Sequence, residues 1–202
     1  MKFSCEKALL QSMITIASRA VAPKSTIPAL EGVLLEAEQE LNLTGYNLKT
    51  GIRGTISADI AEPGSIVLSA RLFGDIIRRL PDDMVTLSTD DLMVNITCGM
   101  SEFNILGMDP SQFPELPAVE YQNSMILPQR ILHSMITETI FAVSTNDSRP
   151  IHTGELFERN GEGLLTVVAV DGYRLALRRE TTQLNVSETA CQFVIPAPAL
   201  NE

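Results

Sequence analysis

One block of this 202-residue sequence comes back, and its return dictates how the chain can fold. Ser12-Met13-Ile14-Thr15 recurs as Ser134-Met135-Ile136-Thr137, 122 positions later. At the same offset Thr26-Ile27-Pro28 is answered by Ser148-Arg149-Pro150, and Gly32-Val33-Leu34-Leu35-Glu36 by Gly154-Glu155-Leu156-Phe157-Glu158. Val67-Leu68-Ser69-Ala70 meets Val194-Ile195-Pro196-Ala197 at 127, which places five inserted residues in between. Each correspondence is short, but four in the same order describe a duplicated unit. A repeat of this length, roughly 100 residues or a little more, has the size of a domain.

Within the unit the apolar period changes from helical to extended. Leu9, Leu10, Met13, Ile14, Ile16 and Ala17 predict a helix over 6–21, with Ser4 as cap and Pro23 as stop. A proline-bounded loop follows at 22–28. Strands are expected at 30–37, 40–46, 51–60 and 65–69; Ile52, Gly54, Ile56, Ala58 and Ile60 alternate with polar neighbours over the third. A second helix at 71–80 stops at Pro81, and strands at 84–89, 92–98 and 101–107 come next. Segment 109–117 holds three prolines and reads as a stiff extended linker, with a domain boundary just beyond it. In the second copy, strands at 164–170 and 175–179 flank Asp171-Gly172, a tight-hairpin signal whose companion is Gly45-Tyr46-Asn47-Leu48. That copy stops at Glu202, where its own second helix is due to begin. A cut there leaves an unpaired sheet edge, so the expectation is a piece of a longer chain. The class is α+β: repeated units of two helices packed on antiparallel sheets.

Little catalytic chemistry is visible. Gly-x-Gly-x-x-Gly, the Walker Gly-Lys-Ser/Thr and Gly-x-Ser-x-Gly are all missing. The two histidines are His133, with no second ligand at i+4, and His152, in a loop entering a strand. Cys5, Cys98 and Cys191 are widely spaced, which suggests free, mostly buried thiols rather than a disulfide framework or a zinc ribbon. No metal and no cofactor is expected. No apolar run approaches the roughly 20 residues of a membrane span, and the start lacks a signal-peptide core, so a cytoplasmic location is expected. The net charge of -10 argues against nucleic-acid binding by bulk charge. Its distribution is more informative. Segment 71–80 carries Arg71, Arg78 and Arg79 against Asp75, and segment 7–24 carries Lys7, Arg19 and Lys24 with no acid. Acids gather instead at Glu31, Glu36, Glu38, Glu40, Asp82, Asp83, Asp90 and Asp91. Ordinary solvated helix faces and a surface turned to a polyanionic backbone both fit this pattern.

Several short motifs add to the pattern. They are Met1-Lys2-Phe3, Ile27-Pro28-Ala29-Leu30, Leu43-Thr44-Gly45, Ala70-Arg71 with Phe73, and Arg79-Leu80-Pro81. More specific are Phe113-Pro114-Glu115-Leu116-Pro117, Phe141-Ala142-Val143-Ser144 with Arg149-Pro150, and Asp171-Gly172-Tyr173-Arg174-Leu175-Ala176. With these the whole chain resembles the bacterial DNA polymerase III β subunits, the sliding clamps. The resemblance implies the DNA-clamp fold, with three domains per chain and two chains head to tail around duplex DNA. Residues 1–120 would be domain one and 121–202 domain two, truncated at its C-terminal side, with the third domain absent. It also implies a nonenzymatic role in processivity. The partners would be duplex DNA bound without sequence preference, and the replicative polymerase, clamp loader and repair proteins bound through short linear peptides. A homodimer of the full-length chain is implied, and no membrane.

Carried over residue by residue, DNA contacts fall on Lys24, Arg71, Arg78, Asn146 and Arg149. The partner-peptide groove falls on His152, Val170, Gly172, Tyr173, Arg174 and Leu175, and the subunit contact on Phe103 and Ile105. This chain departs from common family patterns in four places. Lys24 replaces an arginine, Pro150-Ile151 a pair of tyrosines, His152 a leucine and Val170 a threonine. The remaining groove walls would come from residues after Glu202, so weak or no peptide binding is expected. Two other readings stay open: a small enzyme using Asp171, Tyr173 and Arg174, and a duplicated α+β protein-interaction module without DNA encirclement.

Overall fold

Phe3 and Cys5 are both buried, two residues apart, and that alternation belongs to a strand rather than a helix cap. The computed structural model, which describes residues 1–118, 126–146, 148–160, 163–181 and 190–202, opens on strand β1 (Lys2–Glu6) before helix α1 (Lys7–Ser18). Ser4 therefore caps nothing; its hydroxyl bonds Thr86 Oγ1 at 2.8 Å from within the sheet. Glu6 stands at the helix N-cap without a side-chain bond. The helix ends at Ser18, three residues earlier than expected. Its last turn tightens as Arg19, Ala20 and Val21 donate to carbonyls three residues back.

The chain divides into two units, Met1–Pro117 and Ala118–Glu202. The boundary expected at 120/121 lies outside the described residues. In the first unit β2 (Gly32–Ala37), β3 (Leu41–Tyr46), β4 (Gly51–Ile56) and β6 (Gly64–Ser69) form a sheet in the order β4-β3-β2-β6. A five-stranded sheet, β5-β1-β7-β8-β9, adds β5 (Asp59–Glu62), β7 (Met84–Asp90), β8 (Met93–Cys98) and β9 (Ser101–Leu106). The single strand expected at 51–60 is thus two strands in two sheets. Gly51–Ile56 pairs with β3, Asp59–Glu62 pairs with β1, and Ser57-Ala58 carry the chain across. The core takes Leu10, Met13, Ile14 and Ala17 from α1, and Phe73, Ile76 and Ile77 from α2 (Ala70–Arg79). Strand residues such as Leu35, Leu43, Leu68, Val85 and Ile96 complete it. Helix α1 lies so close to β3 that a Cβ on Gly45 would overlap the Ala17 carbonyl oxygen.

Segment 109–117 is a strap packed on the first unit rather than an extended linker. Met108 exchanges two backbone hydrogen bonds with Val67, at 2.9 and 3.1 Å. Pro110–Gln112 then makes a 3-10 turn, with Asp109 accepting from the Ser111 N–H. Phe113 is buried against Ala29, Leu30 and Val67, with Leu116 beside it. The prolines set the path, and the apolar side chains between them hold it down.

The second unit repeats the first. Helix α3 (Gln129–Thr139) is followed by β10 (Gly154–Arg159), β11 (Leu164–Val170), β12 (Leu175–Thr181) and β13 (Cys191–Pro196). The sheet order β12-β11-β10-β13 reproduces β4-β3-β2-β6. Short 3-10 turns, Pro28–Glu31 and Pro150–Thr153, lead into the matching strands β2 and β10. A second helix, α4 (Ala197–Leu200), begins ahead of the expected position at Glu202. Its start at Ala197 corresponds to the start of α2 at Ala70, at the same offset of 127 as the strand before it. Cys5 and Cys98 are buried and Cys191 is exposed. Burial, with the charge of Glu6 adding to it, pushes the Cys5 thiol up to about 12. Among the described residues no helix is long and apolar enough to cross a membrane.

If the strap belongs to the first unit, emptying its anchor site destabilises that unit. Phe113→Ala is expected to cost about 3 kcal/mol, read as a lower urea midpoint at unchanged slope. A segment acting as a mere linker would leave the midpoint where it was.

Candidate functional site

Helix α2 turns its apolar stripe inward and its cations outward. Ala70, Phe73, Ile76 and Ile77 are buried, and the Ser69 hydroxyl accepts from the Leu72 N–H at the N-cap. Arg78 and Arg79 sit in the last turn, where they complement the helix dipole. Arg71 and Arg78, two turns apart, share an exposed face and line a groove of about 640 Å3 between α1 and α2. Two acids also line it. Asp75 pairs with Arg78 at 3.3 Å, and Glu31 accepts the Ser25 N–H at 2.9 Å. Lys24 is exposed and follows Pro23, which forms part of the wall. The structure thus gathers Lys24, Arg71 and Arg78 in one region of the first unit, with a small positive excess.

In the second unit the loop between α3 and β10 is shaped by its own polar groups. The Asn146 N–H donates to Ser144 Oγ at 3.0 Å, and its side-chain oxygen accepts the Ser148 N–H at 2.9 Å. The His152 N–H donates to the Arg149 carbonyl at 2.9 Å, while its own carbonyl accepts the Ser144 N–H at 2.8 Å. Opposite this loop is the turn between β11 and β12. The expected hairpin is present, with a four-residue connection, 171–174, between Val170 and Leu175. Asp171 Oδ1 accepts the N–H groups of Tyr173 and Arg174, both at 3.0 Å, and Oδ2 accepts Arg174 Nε at 2.7 Å. Gly172 takes φ +92°, a value that favours glycine. The Tyr173 N–H, joined by the backbone and side chain of Arg174, holds the Asp171 carboxyl below the usual range against the opposing effect of desolvation. Asn47 organises the matching turn of the first unit in the same way, accepting from the N–H groups of Lys49 and Thr50.

The Arg174 guanidinium lies 6.0 Å from the centre of the Phe141 ring while bonded to Asp171, so it is held on two sides. Sequence reasoning missed both roles. Asp171 was legible as a turn residue, but no local signal ties Phe141 to an arginine 33 positions away. A pocket of about 300 Å3 is lined by Asn146, Arg149, His152, Asp171, Tyr173 and Arg174, among others. It joins residues that the sequence assigns to DNA, Asn146 and Arg149, with residues assigned to the peptide groove. Val170, Gly172 and Leu175 do not line it. Val170 and Leu175 pair at the strand ends, and Leu175 is 63% exposed. Both carboxylate oxygens of Asp171 are committed to the turn, and Tyr173 is fully exposed. Phe103 and Ile105 lie on β9, the edge strand of the five-stranded sheet. Ile105 packs on the core, whereas Phe103 is 38% exposed beyond it.

Asp171→Ala removes three bonds from the turn and is expected to speed exchange of the Arg174 amide about tenfold. Asp171→Asn, which restores the arrangement found at Asn47, is expected to keep most of the protection. The carboxylate's contribution is complete above the ordinary aspartate range and is lost as pH falls through its lowered value. The gap between wild type and Asp171→Ala is therefore expected to narrow in acid, towards the gap that Asp171→Asn shows.

Comparison with known proteins places this geometry. The DNA polymerase III beta subunit family matches twice, through its N-terminal domain at residues 1–117 and its central domain at 126–202. The beta sliding clamp of Halalkalibacterium halodurans is 36% identical over 213 residues, a span of 100% of this chain and 56% of that protein. The Staphylococcus aureus beta sliding clamp is 37% identical, with 100% and 55% covered. Among solved structures, a DNA polymerase III beta subunit from Eubacterium rectale superposes with a TM-score of 0.94 at 36% identity. The Bacillus subtilis DNA polymerase sliding clamp superposes with 0.94 at 32%, and each structure covers 100% of this chain and 55% of its own. The chain thus spans about half the length of the relatives it matches. On this likeness in sequence, sheet order and domain pattern, the chain belongs to the DNA polymerase III β subunit family.

Proposed function

We propose that this chain supplies the first and second domains, meeting near residue 120, of a sliding clamp in the cytoplasm. The clamp encircles duplex DNA and tethers a replicative polymerase to it, and it catalyses no reaction itself. The observation that carries this reading is the exposed pair Arg71 and Arg78 on α2, with Lys24 nearby, on a chain whose net charge is -10. A ring retained by topology needs little grip. A slight positive excess centres the duplex, and phosphate contacts of this kind read no sequence. Acid elsewhere, as at Glu38, Glu40, Asp90 and Asp91, discourages binding outside the ring.

In this reading Asn146 and Arg149 add DNA contacts in the second unit. His152, Val170, Gly172, Tyr173, Arg174 and Leu175 form one side of a groove for short linear peptides of the polymerase, clamp loader and repair proteins. The free outer side of β9, with Phe103 and Leu106 exposed, supports a head-to-tail homodimer through Phe103 and Ile105.

The chain is expected to bind duplex DNA weakly, without sequence preference and with strong salt sensitivity. Arg71→Glu with Arg78→Glu is expected to abolish that binding, or to lower the slope of log K against log salt by about two phosphate contacts' worth, roughly 1.8. An unchanged slope in this double variant withdraws the pore assignment. It leaves the reading of a duplicated interaction module without DNA.

A further inference from the structure

The loop that carries Asn146, Arg149 and His152 leaves α3 at Thr139 and enters β10 at Gly154-Glu155. Thr139 and Glu155 are 1% and 0% exposed, and they touch across the neck of the loop, Oγ1 to Oε1 at 2.7 Å. The same hydroxyl lies 2.7 Å from the Met135 carbonyl oxygen and 3.4 Å from that of Ile136. A hydroxyl has one proton to donate, and a backbone carbonyl can only accept. Once that proton goes to Met135, the short contact with Glu155 is a hydrogen bond only if Glu155 carries a proton of its own. Among the described residues Glu155 Oε2 is buried without a partner, which a neutral acid tolerates far better than a carboxylate.

The first unit has the same neck in apolar form. Subtracting the repeat offset of 122 from Thr139 and Glu155 gives Ala17 and Val33, both buried in the core. The two positions differ together, and the polar groups that replace the apolar pair bond to each other.

Among the described residues, charged neighbours leave the acid alone. On α3, Glu138 accepts from Ser134 Oγ at 2.6 Å and pairs with Arg178 of β12 at 3.4 Å. Arg178 also pairs with Glu180 at 2.9 Å. Arg159, four residues further along β10 on the same side, has interactions of its own. From β11 come Val167 and Ala169, and from β13 Phe193 and Ile195, with Cys191 exposed at the far end. His152, in the loop itself, is held through its backbone. Burial therefore pushes the Glu155 carboxyl above the usual glutamate range; a bond donated by Thr139 to the carboxylate opposes this more weakly, and the Met135 carbonyl competes for that one proton.

We propose that Thr139 and Glu155 form a proton-dependent clasp, which closes the neck of loop 140–154 while Glu155 is a neutral acid and loosens it on ionisation, when the one hydroxyl proton can serve the Met135 carbonyl or the carboxylate but not both. The fold favours the protonated form. The clasp is complete below the ordinary glutamate range and is lost as pH rises through the raised value. That the loop presents DNA- and peptide-contacting residues rests on the clamp reading; the clasp itself does not.

The test follows the Glu155 carboxyl by carbon NMR in the 202-residue chain, together with exchange protection of the Ser144 and His152 amides between pH 5 and 8.5. Wild type is compared with Glu155→Gln, whose amide donates to Thr139 at every pH, and with Thr139→Ala/Glu155→Val, which copies the first unit's neck. Glu155 is expected to titrate above the other glutamates. Ser144 protection is expected to fall about tenfold across that titration in wild type and to stay flat in both variants. Titration of Glu155 in the ordinary range, or an equal fall in Glu155→Gln, overturns the proposal. No DNA or peptide enters the measurement, so its failure leaves the clamp reading intact, and a failed DNA-binding test leaves the clasp intact.

Discussion

Everything in the first unit rests on how closely α1 presses against the sheet it covers. Gly45 lets β3 reach the helix backbone at Ala17, and Gly54 lets β4 reach the Met13 side chain. With backbone that near, the Leu10, Met13, Ile14 and Ala17 stripe is fully enclosed. Each enclosed Leu, Ile or Met side chain contributes about 1.5–3 kcal/mol. Against terms of that size, a few cations on the far side of α2 cost little. The outward faces are therefore free to carry whatever charge function demands, and Arg71 and Arg78 occupy that freedom.

The second unit keeps the skeleton and changes the chemistry at its joints. Asn47 and Asp171 build the same turn, yet Asp171 also holds an arginine that Asn47 has no counterpart for. Pro28 and Pro150 open matching 3-10 turns, and the loop before the second carries Asn146 and Arg149. The duplicated sheet acts as a fixed frame, and the loops at its edge differentiate the copies.

Much of that frame was legible in the sequence because it is local. Helix 71–80 is displaced by one residue from the observed Ala70–Arg79, and the three strands after it shift by at most a residue at either end. What stayed hidden depends on distant partners. The residues of β1 precede a strong helical pattern, and only pairing with Asp59–Glu62 and Met84–Ser88 makes them a strand. The alternation over 51–60 continues through Ser57-Ala58, so nothing local marks the passage between sheets. Proline content suggested a linker at 109–117, whereas Phe113 answers to Ala29, Leu30 and Val67. For the site, each candidate residue was named from motifs, but the shared pocket of Arg149, His152 and Arg174 arises from the closeness of a loop and a turn. The Thr139–Glu155 contact was equally invisible, since Glu155 sits in a strand pattern where any polar residue reads as solvent-facing.

The position of β1 also sets an order of events during synthesis. It lies between β5 and β7, with Lys2 opposite Ser88 and Glu6 opposite Met84. β1 thus finds one partner in Asp59–Glu62, some 55 to 60 positions downstream, and the other in Met84–Ser88, some 80 positions downstream. Such long-range closure is slow compared with local helix and hairpin formation. The smaller sheet, β4-β3-β2-β6, is complete in sequence by Ser69 and needs no such delay. A nascent first unit can therefore complete its smaller sheet under α1 before β1 gains its second partner, β7.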